Sequence, residues 1–314
     1  MDNLIFCLNA TVPVFMLILF GKLLQRWNFF APQTMKDMNN LVFKLLLPVS
    51  LFRSISSNSI TEQFNLKFFL FCFIATLASF FVIWGGAYLF LKDKHSVGAF
   101  TQGAFRGSQA ILGMAFMMNL YGNAGMVPLM ILASVPLFNI FSVVALSLSA
   151  DDPAGREGLA RRTIYGVITN PIILAIIIAL PFSFFQVQFP AMINKALDSL
   201  GGCATPIALL SIGASFEGTK ALKKIVPTTV SSFIKLLGLP IVFLPVAIAM
   251  GFRGQELVTI LIMAGSPAPP AGYVMAQKMH GDATLASSIV VMTTAFSAVT
   301  LTLLLYIVRV LGLI

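Results

Sequence analysis

The sequence predicts an all-α membrane protein: ten transmembrane helices in two inverted five-helix repeats, with helices 4 and 9 broken and crossing. Three observations predict it. Hydrophobic residues make up 58% of the 314 residues and charged residues only 10%, far below the ~25% of a soluble domain. Ten apolar runs approach the ~20 residues that cross the hydrocarbon of a bilayer. The second half of the chain also repeats the prolines and glycines of the first at a nearly constant offset.

The runs cover about 4–25, 35–53, 67–91, 98–120, 125–149, 163–181, 193–215, 225–250, 257–279 and 284–309. Met1-Asp2-Asn3 offers no basic start, so the first run is expected to be a retained helix and not a cleaved signal. The longest polar connection, Ala150 to Arg162, falls at the midpoint. The expected organisation is therefore a first repeat at 1–150, a linker at 151–162 and a second repeat at 163–314.

Shifted by 158 residues, Pro13 falls on Pro171, Pro32 on Pro190, Pro48 on Pro206, Gly107 on Gly265 and Ser108 on Ser266. At 159, Gly113 falls on Gly272 and Gly122-Asn123-Ala124 on Gly281-Asp282-Ala283. Five spans per half is an odd number, so the halves enter the membrane in opposite senses, as inverted-topology repeats do.

Orientation follows from the basic residues. With the amino terminus outside, twelve lysines and arginines lie on inner connections: Lys22, Arg26, Lys36, Lys92, Lys94, Arg156, Arg161, Arg162, Lys220, Lys223, Lys224 and Lys278. Five lie outside: Arg53, Lys67, Lys195, Arg253 and Arg309. This positive-inside bias places the chain in the cell (inner) membrane with both termini on the outer side. It also accounts for the net charge of +9 without a nucleic-acid partner.

The run at 257–279 holds Ala264-Gly265-Ser266-Pro267-Ala268-Pro269-Pro270-Ala271-Gly272. Proline removes a backbone donor and clashes with the preceding turn, so a continuous helix cannot pass. Broken backbone at membrane depth survives only where protein buries it or it lines a wet cavity, and secondary transporters build substrate sites on such breaks. Its repeat partner reads Ala104-Phe105-Arg106-Gly107-Ser108-Gln109-Ala110-Ile111-Leu112-Gly113, with glycines that let two backbones approach. Half-helix N-termini at a crossing carry partial positive charge and suit an anion.

Candidate substrate contacts are Ser108, Gln109, Gly113, Asn139, Ser266, Pro267, Pro269 and Pro270, with Pro48 and Pro206 flanking an apolar rest. Lys235, mid-span in the eighth run, is expected to face the crossing or to neutralise the carbonyls of a half-helix C-terminus. Arg106 could bind a carboxylate bidentately or snorkel to the inner interface. Asp198, the acidic residue best placed for burial, is a possible ion or proton site or a helix-start residue. Thr293, Thr294 and Ser297 could line a cavity or serve helix packing.

No metal site or cofactor is expected. Cys7, Cys72 and Cys203 lie at unrelated spacing in apolar stretches and read as small core residues, and His95 and His280 read as isolated loop residues. An enzyme finds no support, since the chain has no H-E-x-x-H, no G-x-S-x-G and no paired aspartates on facing spans. A retinal-type sensor built on Lys235 lacks a counter-ion. The scarcity of acidic residues at the breaks favours an organic-anion carrier over a cation/proton antiporter or a sodium-coupled symporter.

The chain resembles the auxin efflux carrier family, in Pro13-Val-Phe-Met-Leu-Ile-Leu-Phe-Gly21, Asn40-Leu-Val-Phe-Lys-Leu-Leu-Leu-Pro48, Phe105-Arg106-Gly107, Thr205-Pro206-Ile-Ala-Leu-Leu-Ser-Ile-Gly213-Ala214-Ser215, Lys235-Leu-Leu-Gly-Leu-Pro240 and Ala276 to Ala283. That family includes plant PIN auxin carriers and bacterial carriers described as malate or malonate permeases. The resemblance implies a fold of the sodium/proton-antiporter and bile-acid-symporter type. Spans 1, 2, 6 and 7 would form a scaffold and spans 3–5 and 8–10 a transport domain, in a homodimer joined through the scaffold. Lacking the long loop of most plant members, the chain resembles a prokaryotic one. Ser108-Gln109 stands where the family usually has Asn, and Ala115 where members often have Pro, so a milder break is expected in the fourth span.

Overall fold

A computed structural model describes residues 2–57, 64–149, 165, 168–216 and 218–314. All regular structure among them is helical. The expected linker at 151–162 and the start of the sixth run at 163 lie outside the described residues.

Helix α1 spans Asp2–Arg26 and α2 spans Pro32–Leu41, which continues through a wide π-turn at Val42–Leu46 into α3, Leu47–Ser56. The chain continues with α4 (Leu66–Phe90), α5 (Ser96–Phe105), α6 (Gln109–Tyr121), α7 (Val127–Ser149) and α8 (Pro171–Phe184). Next come α9 (Ala191–Gly202), α10 (Ala204–Ser215), the short α11 (Gly218–Lys223) and α12 (Ile225–Phe233). A second π-turn at Ile234–Gly238 leads into α13 (Leu239–Ala249), followed by α14 (Gly254–Gly265), α15 (Ala271–Lys278) and α16 (Ala283–Val310). Among the described residues five helical stretches, 66–90, 127–149, 191–215, 225–249 and 283–310, are long and apolar enough to cross a membrane, and Pro171–Phe184 and Gly254–Gly265 are shorter apolar helices.

Both π-turns have the same local cause. Proline at position i clashes with the carbonyl of i−4 and cannot donate to it. Ahead of Pro48 the Leu47 N–H reaches back five residues to the Val42 carbonyl, and ahead of Pro240 the Leu239 N–H reaches the Ile234 carbonyl. The wider turn accommodates the ring without ending the helix. Lys235 sits inside the second of these turns.

Packing joins distant parts of the sequence. Helix α1 lies along α10 and α16, and α3 lies against α8 and α9. Gly21 rests on the Leu210 backbone and Gly213 on the Ile18 backbone, so close that a methyl group at either would overlap the neighbour. This is the small-residue contact by which membrane helices associate without a hydrophobic driving force. Helix α5 packs on α7, α12 and α16, while α14 packs on α6 and α13. Phe80 stacks on Phe141 with ring centroids 4.4 Å apart and anchors α4 against α7.

Two expectations about small polar groups are corrected. Cys72 is buried but Cys203, at the junction of α9 and α10, is exposed; both are free thiols. His95 and His280 are not isolated, because the His95 ring Nε2 lies 3.0 Å from the His280 carbonyl.

Candidate functional site

Two helix breaks meet. After α5, Arg106 is extended (φ −93°, ψ 147°), and α6 begins only at Gln109. After α14, Ser266 is likewise extended (φ −68°, ψ 148°), and α15 begins at Ala271. The Ser108 N–H donates to the Pro267 carbonyl at 2.9 Å, one backbone to the other. Gly107 lies against the Ser266 hydroxyl, and a methyl group there would overlap it and come 3.0 Å from Lys235 Nζ.

Freed backbone groups must find partners in such a place, and several do. The Ala268 N–H donates to Thr293 Oγ1 (3.1 Å), the Gln102 amide donates to the Gly272 carbonyl (2.8 Å) and the Ser231 hydroxyl donates to the Phe100 carbonyl (3.1 Å). Lys235, fully buried, donates to the Met263 and Ala264 carbonyls at 3.1 and 2.8 Å. It thus places a cation on the C-terminal end of α14, where the helix dipole is negative.

On the other side of the crossing lies a cavity of about 190 Å³, roughly six waters at ~30 Å³ each. Ser108, Arg106, Asn139, Thr205, Pro269 and Pro270 are among its walls, with Leu47, Leu51, Phe138 and Ile172 supplying apolar surface. Arg106 is buried, 5% exposed. One terminal nitrogen lies 3.3 Å from Ser142 Oγ and 3.1 Å from Met275 Sδ, and the other lies 3.3 Å from Asn139 Oδ1. Its Nε has no hydrogen-bond partner among the described residues, and no acidic residue is among the described cavity walls. A cavity walled by half-helix ends therefore carries a cation without a counter-ion among the described residues.

The other candidates are placed as follows. Gln109 is buried, its amide nitrogen donating to the Ser134 hydroxyl at 2.9 Å, and it is not among the cavity walls. Gly113 packs against Val127, one turn further along α6. Pro48 and Pro206 are absent from the cavity walls, where Leu47 and Thr205 stand beside them. Ser266 is fully buried at the crossing. Asp198, a possible ion site or helix-start residue, has a side chain 57% exposed and pairs bidentately with Arg53, at 2.7 and 3.1 Å. Thr293 serves the break by accepting from Ala268 N–H.

A second polar cluster went unnoticed in the sequence because its members come from three separate connections. Lys224 lies 2.7 Å from Asp93 and 2.9 Å from Asp282, and the Ser96 hydroxyl lies 2.7 Å from each carboxylate. Asp282 also caps α16 by accepting from Leu285 N–H. The Lys224 ammonium and the Ser96 hydroxyl hold the Asp93 carboxyl down at about 2. Burial opposes charge on Lys224 and on Asp282, but their mutual bonds outweigh it, so the lysine is raised and the aspartate lowered. The His95 ring approaches the two carboxylates, but the ammonium already lies between them.

A polytopic helical protein whose interrupted helices meet over a charged cavity belongs to the class of membrane transporters. The chain is a member of the family described as "Membrane transport protein", the auxin efflux carrier family, whose model matches residues 6–157 and 158–305. It is a transporter and not an enzyme. Similar chains include a Rhizobium meliloti protein named "Putative malonate transporter", 24% identical over 96% of this chain and 95% of the relative. An uncharacterized transporter of Methanocaldococcus jannaschii is 23% identical over 94% and 97%. One from Methanothermobacter thermautotrophicus is 22% identical over 94% and 96%.

Proposed function

We propose that this protein carries a small carboxylate-bearing organic anion across the inner membrane by alternating access at the crossing of its fourth and ninth spans. The observation that carries the reading is Arg106: a buried guanidinium, held by neutral partners, with a free donor and a cavity beside it. A charge left unpaired in such surroundings is costly, and a substrate carboxylate removes that cost. The guanidinium fork and the first-turn N–H groups of α6 suit one carboxylate together. Lys235 balances the opposite side of the crossing by covering the carbonyls of α14. The malonate in the printed name of one relative fits this chemistry.

The ten spans form a five-plus-five inverted repeat in this reading, supported by the repeated prolines and glycines and by the two breaks at corresponding positions. Spans 1, 2, 6 and 7 act as scaffold, in keeping with the packing of α1 on α10 and of α3 on α8 and α9. Spans 3–5 and 8–10 move, and the scaffold faces supply a homodimer contact. The basic connections face the cytoplasm, which places both termini outside.

The test is uptake of labelled malonate by protein reconstituted in liposomes, beside a panel of mono- and dicarboxylates. Wild type is expected to accumulate at least one of them. Arg106→Gln is expected to raise its KM by tenfold or more, since truncating one partner of a buried charge contact costs ~2–5 kcal/mol. An unchanged KM in a folded variant would remove Arg106 from the site. Asp198→Asn, at an exposed pair, is expected to transport normally; abolished transport would favour a cation-coupled antiporter or symporter.

A further inference from the structure

A larger cavity, about 780 Å³, opens at the end of the helices that carries the lysines. Its described walls include Lys22, Lys36, Lys278, Asn40, Ser215 and Gln277, and no acidic residue is among them. Lys22 donates to the Phe216 carbonyl (2.8 Å) and to Gln25 Oε1 (3.4 Å), and Lys278 donates to the Lys36 carbonyl (3.3 Å). An ammonium has three donors, so Lys22 keeps one and Lys278 two for a ligand. Asp37 and Lys44 are the nearest further charges acting on Lys278, and Asp37 also accepts from Gln33 at 2.9 Å.

The same three helical segments wall both cavities. On the second span Met35, Lys36 and Asn40 wall the larger cavity and Leu47, Ser50 and Ser54 the smaller one. On α10 Ser215 walls the larger and Thr205 the smaller, and on the ninth span Gln277 walls the larger and Pro269 and Pro270 the smaller. Ser215 and Ser211 are four residues apart, as are Gln277 and Tyr273, so each pair shares a helix face. Between the cavities lie Asn39, Ser211 and Tyr273, all essentially buried. Both ends of the Asn39 amide and the Ser211 hydroxyl lack a hydrogen-bond partner. The Tyr273 hydroxyl lies beside Ser215 and Asn39 without a well-formed bond to either. A seal of unsatisfied polar groups costs ~1–3 kcal/mol per group, and those groups are free to bond to whatever enters.

We infer that the lysine-walled cavity is a second anion-binding station, taking small soluble dicarboxylates and delivering them through the Asn39–Ser211–Tyr273 seal to the crossing. The inference rests on the transport reading above and adds where the anion waits and which charges gather it. Three cations around a cavity with no acidic residue among its described walls raise the local concentration of anions, by tenfold or more at low salt.

The experiment compares wild type with the double variant Lys36→Gln/Lys278→Gln in membrane vesicles of each orientation, with malonate as probe. The expected result is a KM raised about tenfold when malonate is presented at the lysine-bearing face. It should remain unchanged at the opposite face, with kcat kept and the difference lost near 1 M salt, where the Debye length is ~3 Å. Lys36→Arg/Lys278→Arg is expected to keep the wild-type KM, which separates lost charge from lost folding. Equal KM values for the two proteins at the lysine face, or equal rises at both faces, overturn the station. A difference seen only with anionic lipid present assigns the lysines to lipid phosphate and overturns it too. Wild type that carries no carboxylate at all overturns the transport reading first, and the station with it.

Discussion

The two breaks occupy corresponding places in the two halves and have different causes. In the ninth span Pro267, Pro269 and Pro270 remove three donors in four residues, and Ser266, preceding a proline, is pushed out of the helical region by its neighbour's ring. That break is written in the local chain. In the fourth span Arg106-Gly107-Ser108 contains no proline, yet Arg106 is as extended as Ser266. What holds it open comes from elsewhere: the Pro267 carbonyl takes the Ser108 N–H, and Ser266 occupies the space over Gly107. The charges differ likewise. Lys235, from another helix, covers the end of α14, whereas the residue after α5 is itself a cation aimed at a cavity. One proline-rich break thus serves as the template on which the other forms.

The largest expected effect tests that dependence directly. Gly107→Ala puts a methyl group into the Ser266 hydroxyl, and overpacking of this kind costs ~1–3 kcal/mol; most transport should be lost with a lowered thermal midpoint. Gly265→Ala, at the position 158 residues further on, meets Leu301 and Pro240 side chains at 3.3 Å, which can shift slightly, and most transport should survive. Equal losses would mean that the two breaks are equally tight.

A smaller effect is expected from Lys235→Ala, which strips the cation from the Met263 and Ala264 carbonyls. Each carbonyl left unsatisfied costs ~1–3 kcal/mol, so the midpoint should fall and anion uptake with it. Normal uptake by a folded variant would show that α14 needs no cation at its end.

The smallest concerns the clasp of Asp93, Ser96, Lys224 and Asp282, which ties the start of α5 to the start of α16. Asp93 is lowered to about 2, so its contribution is complete above the ordinary carboxylate value of ~3.9 and disappears as pH falls through about 2. Lys224 is raised, so its contribution is complete below ~10.4 and is lost only at higher pH. Thermal stability should therefore respond to Lys224→Met by a nearly constant amount from about pH 5 to 9. A loss that varied steeply within that window would show that another titrating group governs the clasp.

Residue type and local spacing made much of this legible. The apolar runs and the ninth break follow from side-chain hydrophobicity and from proline's missing donor, and family motifs pointed to the transporter class. Lys235 was legible as a buried cation out of place in hydrocarbon, and both of its partners are backbone carbonyls of a broken helix, one of the roles expected of it. Arg106 was ambiguous because its distance from the span's end allowed either a buried or an interfacial position; burial against Asn139, Ser142 and Met275 decided between them. Asp198 was left open between an ion site and a helix-start role, because its own span said nothing of Arg53, 145 residues away, with which it pairs. Pro48 and Pro206 are not among the cavity walls, where their neighbours Leu47 and Thr205 stand, because spacing along one helix does not say which face a cavity meets.

By itself the sequence determined that the chain belongs in a bilayer, that it is a transporter of this family, and that one helix must come apart halfway along. Those properties depend on transfer free energy and backbone chemistry, which act locally. Only the tertiary structure decided that the helix opens between α5 and α6, that Arg106 has no counter-ion among the described residues, and that the same three helical segments wall two cavities. Each of these depends on atoms distant in sequence competing for one place, and no local pattern records that competition.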